Sequence, residues 1–136
     1  MIREIVHDPV FLAQPSAEAT EADVPVAMDL IDTLKANLDR CVGMAANMIG
    51  QKKRIIAMAR GPLVVAMLNP KIIGKSGEYE TEEGCLSLEG TRKTTRYRSI
   101  RLTWQDVQMK EHTGTLDGFQ AQIVQHEIDH CDGRLI

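Results

Sequence analysis

Apolar residues recur along the chain in two rhythms, a helical one near each end and an alternating one between them. Val26, Leu30, Ile31, Leu34, Leu38 and Cys41 form one stripe, with Asp29, Asp32, Lys35, Asn37 and Arg40 mostly outside it. This spacing predicts a helix over about residues 24–41, capped near Asp23, with Pro25 in its first turn and Gly43 ending it. Two β-like runs follow, Arg54–Arg60 and Leu63–Leu68, joined by Gly61-Pro62 as a tight turn. Asn69-Pro70 is expected to stop the second run. Lys71-Ile72-Ile73 reads as a short strand, and Gly74, Gly77, Gly84 and Gly90 mark a loop-rich stretch. From Arg96 to Met109, Tyr97, Ile100, Leu102, Trp104 and Val107 interleave with polar residues, the pattern of a half-buried strand. Helical spacing returns from about Asp117 to Cys131, where Phe119, Ile123, His126 and His130 share a side and Gly133 is the stop. Strands grouped between two helices indicate an α+β fold in one domain, residues 1–136, with mixed or antiparallel sheet packed around the C-terminal helix.

Composition narrows the class. Apolar residues make up 43% and charged residues 26% of the 136, ordinary for a globular chain. The longest uninterrupted apolar run is Leu63–Leu68, far short of the ~20 residues of a membrane span. Met1-Ile2-Arg3-Glu4 lacks the apolar stretch of a signal peptide. A net charge of −3 disfavours nucleic acid and anionic membrane as partners. Three cysteines, an odd number with no export signal, fit a reducing cytoplasm with free or metal-bound thiols.

The chemistry concentrates in His126-Glu127-Ile128-Asp129-His130. On a helix, residues four apart lie on one face, so both imidazoles can reach one ion, and Glu127 stands ready to take a proton from water at the metal. A catalytic tetrahedral site needs a third protein ligand and an open position. Cys131 points about 100° away from His130 around the helix, and few residues follow it. The third ligand is therefore expected from upstream, where Cys41, Cys85, His7, His112 and carboxylates are the donors. Cys85 lies in a glycine-flanked turn that lets backbone approach an ion, whereas Cys41 reads as a small core residue of the helical stripe.

Three motifs together resemble the peptide deformylases. They are Cys41-Val42-Gly43-Met44-Ala45-Ala46-Asn47-Met48-Ile49-Gly50, Glu83-Gly84-Cys85-Leu86-Ser87 and Gln125-His126-Glu127-Ile128-Asp129-His130, with Asp8-Pro9-Val10-Phe11-Leu12 near the start. The resemblance covers nearly the whole chain and implies an amide hydrolase that removes the formyl group from N-formylmethionyl peptides. By this resemblance Cys85, His126 and His130 hold one divalent metal, ferrous iron in the family's native state, with zinc, nickel or cobalt as substitutes. It makes Glu127 the general base towards metal-bound water and gives the Leu86 backbone N–H to the oxyanion. Gly43, Met44, Arg92, Phe119, Gln122 and Ile123 match positions around the substrate, an N-formylated peptide or nascent chain.

The chain departs from the family at four places. Met48 occupies the position of the family's oxyanion glutamine, and a thioether donates no hydrogen bond. Asn47 could replace the missing amide only in a rebuilt loop. This departure raises the alternatives of a weak or altered N-acyl amidase, or of a non-catalytic metal- or peptide-binding relative. Cys41 stands for the motif's first glycine and is expected to narrow the pocket, and Gln122 is polar where an apolar contact to methionine is expected. Arg92, Lys93, Arg96, Arg98 and Arg101 read as a solvated strand face. The sequence ends at Ile136, before the C-terminal segment through which many bacterial members contact the ribosome. If that is the natural end, this route of ribosome docking is absent.

Overall fold

The computed structural model describes every residue from Met1 to Ile136. A short helix α1, Pro9–Leu12, is capped by Asp8, whose side chain accepts the Val10 N–H. Helix α2 spans Val24–Ala36. Strands β1 (Gly43–Ala45), β2 (Ile55–Arg60), β3 (Leu63–Cys85), β4 (Leu88–Gln105) and β5 (Glu111–Asp117) follow, and helix α3, Gly118–Cys131, closes the fold. The five strands pair antiparallel in chain order, an α+β arrangement as expected from grouped strands between helices.

Helix α2 ends five residues before the stripe does. Asn37 caps it: its side-chain amide donates to the Thr33 carbonyl at 2.7 Å, and the backbone N–H of Arg40 and of Cys41 both turn back to the Asn37 carbonyl. Leu38 and Cys41 therefore lie in a turn rather than on the helix. Asn69-Pro70 does not stop β3 either. Proline has no N–H to give, and the register shifts between Leu68 and Lys71 to pass it. Asn69 takes φ 52° there, and its amide bonds Ala19 O and Gln105 Oε1. The glycine-rich stretch beyond it is strand, not loop, because β4 pairs with it continuously from Lys75↔Ile100 to Gly84↔Thr91. Local composition lost here to long-range pairing.

The sheet is buried on both faces in its first half. Ile55, Ala57 and Leu68 pack with Leu30 and Leu34 of α2, while Ile56, Met58 and Met67 pack with Ile123, Val124 and Ile128 of α3. That alternation places consecutive residues of β2 in two separate cores. Helix α3 is fixed against β4 by Gln125, whose Oε1 accepts the Tyr97 N–H and whose Nε2 donates to the Tyr97 carbonyl, each at 2.8 Å. No helix is long and apolar enough to cross a membrane.

Candidate active site

Cys85 is the last residue of β3, and His126 and His130 stand one turn apart on α3. The fold brings the cysteine sulfur and one nitrogen of each imidazole within 4.8 Å of one another. The two Nε2 atoms face each other at 3.1 Å. His126 donates from Nδ1 to Glu83 Oε1 at 2.8 Å, so in its neutral form Nε2 is the nitrogen with a lone pair to offer a metal. Two other upstream donors are occupied elsewhere: His7 meets the Ser87 carbonyl, and His112 meets Asp106. Two imidazoles and one thiol are a donor set whose chemistry fits a divalent metal. The His130 Nδ1 and Glu127 Oε1 atoms are buried without protein partners, consistent with a site whose polar groups are completed from outside the chain.

Electrostatics separates the two imidazoles. Burial alone would hold His126 down, but hydrogen bonds with Cys85 and Glu83 outweigh it and lift His126 to about 10. Burial and the charge of His126 hold His130 down at about 3. Burial pushes Glu127 up to about 7, where a carboxyl can both accept and release a proton near neutral pH. Glu127 is 4% exposed and sits against Gly43 of β1. A Cβ at Gly43 would lie 2.6 Å from Ile123 Cγ2 and 2.8 Å from Glu127 Oε2, so only glycine allows β1 this close to α3.

Behind the ligands lies a buried ionic network that the sequence did not disclose. Arg96 grips Glu83 with Nε and Nη2 and reaches Asp129 with Nη1 at 2.6 Å. Gln122 adds a bond to Glu83 Oε2 at 2.9 Å. Burial pushes Glu83 up, but the bonds from His126, Arg96 and Gln122 win and bring it down to about 2. Arg96 is 3% exposed, so the basic run is not wholly a solvated face. One signal pointed to Glu83: it precedes Cys85 by two residues on a strand and so shares its face. Arg96 carried no such signal among its charged neighbours.

Cys85, His126 and Glu127 open into a cavity of about 600 Å³, while His130 is fully buried and outside its lining. Gly43, Met48, Leu86, Phe119, Gln122 and Ile123 all line it, as the motif positions implied. Met44 does not. It is fully buried on the α2 side of β1, because residues 43 and 44 of an extended strand face opposite ways. Arg92 is also outside the lining, and its Nη1 is buried without a partner. Cys41, expected in the core, instead lines the cavity, since α2 ends before it. Asn47 points away, donating to the His130 carbonyl.

A family model described as polypeptide deformylase matches residues 2–136. The chain belongs to the polypeptide deformylase family. It is accordingly a hydrolase of a metal-dependent family, and a Cys/His/His cluster is present in it. It is 54% identical over 136 residues, the full length of both chains, to a peptide deformylase of Clostridium beijerinckii. It is 37% identical to a peptide deformylase of Dictyoglomus thermophilum, covering 100% of this chain and 91% of the other. Among solved structures, the peptide deformylase of Thermotoga maritima superposes with a TM-score of 0.88 at 29% identity, covering 99% of this chain and 95% of that one. A class I type b peptide deformylase from Acinetobacter baumannii, solved with Met-Ala-Ser bound, gives 0.87 at 26% identity over 99% and 97%.

Proposed function

We propose that this chain removes the formyl group from N-formylmethionyl peptides by metal-assisted amide hydrolysis. The observation that carries the reading is the convergence of Cys85, His126 and His130 beside a buried Glu127 at one end of an open cavity. The three ligands would hold one divalent ion, ferrous by family resemblance, which when bound supplies Lewis acidity and a more acidic water. Glu127 takes a proton from the attacking water and returns it to the leaving amine nitrogen, a shuttle suited to a carboxyl raised to about 7. Glu83 and Arg96 keep His126 in the tautomer that leaves Nε2 free. The Leu86 main-chain N–H, in the turn after Cys85, faces the developing oxyanion. Gly43, Phe119, Gln122 and Ile123 enclose the methionine side chain. Gln122 suits this role because its amide is spent on Glu83, which leaves its methylenes for the substrate.

Met48 favours a second reading, an amidase slow on formyl groups and directed to another N-acyl substrate, because its sulfur offers no donor to the oxyanion. The two readings separate on one assay. The protein is purified anaerobically with ferrous iron and then with nickel, and formate release from formyl-Met-Ala-Ser is measured. Release that needs the metal and is lost in Glu127→Ala, with the metal retained, supports the first reading. No release from fully metallated protein overturns it. Cys85→Ser should lose most of the metal, since a hydroxyl is a far poorer ligand than a thiolate; stoichiometric retention would point to another donor.

A further inference from the structure

Arg40 is the one arginine or lysine among the residues that line the cavity, and it makes no ion pair within 4 Å. It is nevertheless held in place. Its Nη2 donates to Asn37 Oδ1, and Asn37 is buried, with its own amide fixed on the Thr33 carbonyl. Its backbone is fixed as well, by the N–H bond to the Asn37 carbonyl. The result is an exposed guanidinium tethered to a buried side chain and lining the cavity next to Cys41. The other carboxylates around the cavity do not answer it. Glu83 is satisfied by Arg96 and His126, Glu127 lies buried at the ligands, and Glu82 is exposed on β3 with only a 3.5 Å contact to Thr91. Arg40 and Glu127 line the same cavity, so a peptide whose formyl group lies at Glu127 shares that cavity with this cation.

We infer that Arg40 is a specificity-determining residue that favours substrates carrying a carboxylate shortly after the formylated methionine. The inference rests on the deformylase reading. A group already ordered before binding loses little freedom when it pairs, so Arg40 should outweigh the unrestrained Glu82. The carboxylate could come from an acidic side chain or from the C-terminus of a short peptide, and amidated peptides distinguish the two.

The test compares formyl-Met-Glu-Glu-amide, formyl-Met-Gln-Gln-amide, formyl-Met-Lys-Lys-amide and the free acid formyl-Met-Gln-Gln on the metallated enzyme at low salt. The glutamate peptide should exceed the glutamine peptide in kcat/KM by about threefold, the scale of an exposed ion pair, chiefly through KM, and the lysine peptide should fall below both. The gap should close at high salt. Arg40→Gln should bring the ratio to one and Arg40→Glu should invert it. An advantage confined to the free acid assigns the effect to the terminal carboxylate. An unchanged glutamate-to-glutamine ratio in Arg40→Gln overturns the inference. Binding of the products Met-Glu-Glu-amide and Met-Gln-Gln-amide, measured by calorimetry, reads the same preference without turnover. Equal deformylation of all peptides defeats Arg40 alone. A charge preference in binding that Arg40→Gln abolishes, with no formate released, defeats the deformylase reading alone.

Discussion

Asn47, in the buried turn after β1, donates its side-chain amide to the main-chain carbonyl of His130 on α3 across 3.0 Å. The one amide near the first motif's missing glutamine is thus committed to holding the last metal-ligand candidate in place. It is not available to an oxyanion in the cavity. Met48 itself accepts the Ala45 N–H through its sulfur at 3.4 Å.

Met48→Gln should therefore raise formate release. A glutamine oxygen can take over the Ala45 N–H while its NH₂ turns to the cavity. An oxyanion donor is typically worth ~10²–10³ in turnover, so a gain of at least about tenfold is expected at matched metal content. An unchanged rate would mean that the cavity already supplies a donor.

Glu83 should stabilise the fold except in acid. Its folded value, about 2, lies below its ordinary 4.5, so its contribution is complete above pH 4.5 and is lost as pH falls towards 2. Glu83→Gln removes one partner of a buried ion pair, at a cost of about 3–5 kcal/mol, and should weaken metal binding by about 10–100-fold. Urea midpoints should differ widely from wild type at pH 7, and the gap should narrow by more than half at pH 3. A gap of equal size at both would assign the loss to packing instead. Chelator competition reads the metal affinity.

Gly43→Ala should disable the site with the fold intact. The new methyl would meet Ile123 and Glu127 at 2.6 and 2.8 Å, and the Glu127 carboxylate is the part able to move. Turnover should fall by tenfold or more while circular dichroism is unchanged. Retained activity would show that Glu127 tolerates displacement.

Cys41 should be sluggish towards alkylating agents although it borders an open cavity. Burial, then the charges of Glu127 and Cys85, push its thiol up to about 11. Cys131 is pushed up to about 12 by burial. Peptide mapping after iodoacetamide at pH 7.5 should find both largely unmodified, with Cys41 labelling faster as pH approaches 11. Rapid labelling of Cys41 at pH 7.5 would contradict this.

His126, His130 and Glu127 were legible because helical spacing puts both imidazoles on one face, and Cys85 because Glu83-Gly84-Cys85-Leu86-Ser87 resembles the family's second motif. What escaped was set by distant partners. Asn37 ended α2 early through a side-chain bond that spacing cannot register, and this moved Cys41 from core to cavity. β4 drew a glycine-rich segment into β3. Arg96 looked like its solvated neighbours until the fold set Glu83 and Asp129 around it. Met44 was misplaced by a single residue of alternation.

The bond between Gln125 and Tyr97 has a further consequence. β5 pairs with β4 only as far as Ser99, so the peptide groups of Tyr97 would be left as bare sheet edge. Gln125 fills that place, its amide imitating the peptide unit of an absent sixth strand. Bare edges invite pairing with other chains, and at Tyr97 that place is already taken. It also acts as an indexing pin: the residue that seals the edge immediately precedes His126, so the helix cannot slide by one position without uncovering the edge. Edge cover at Tyr97 and the placement of the helix that carries the imidazoles thus rest on the same pair of hydrogen bonds.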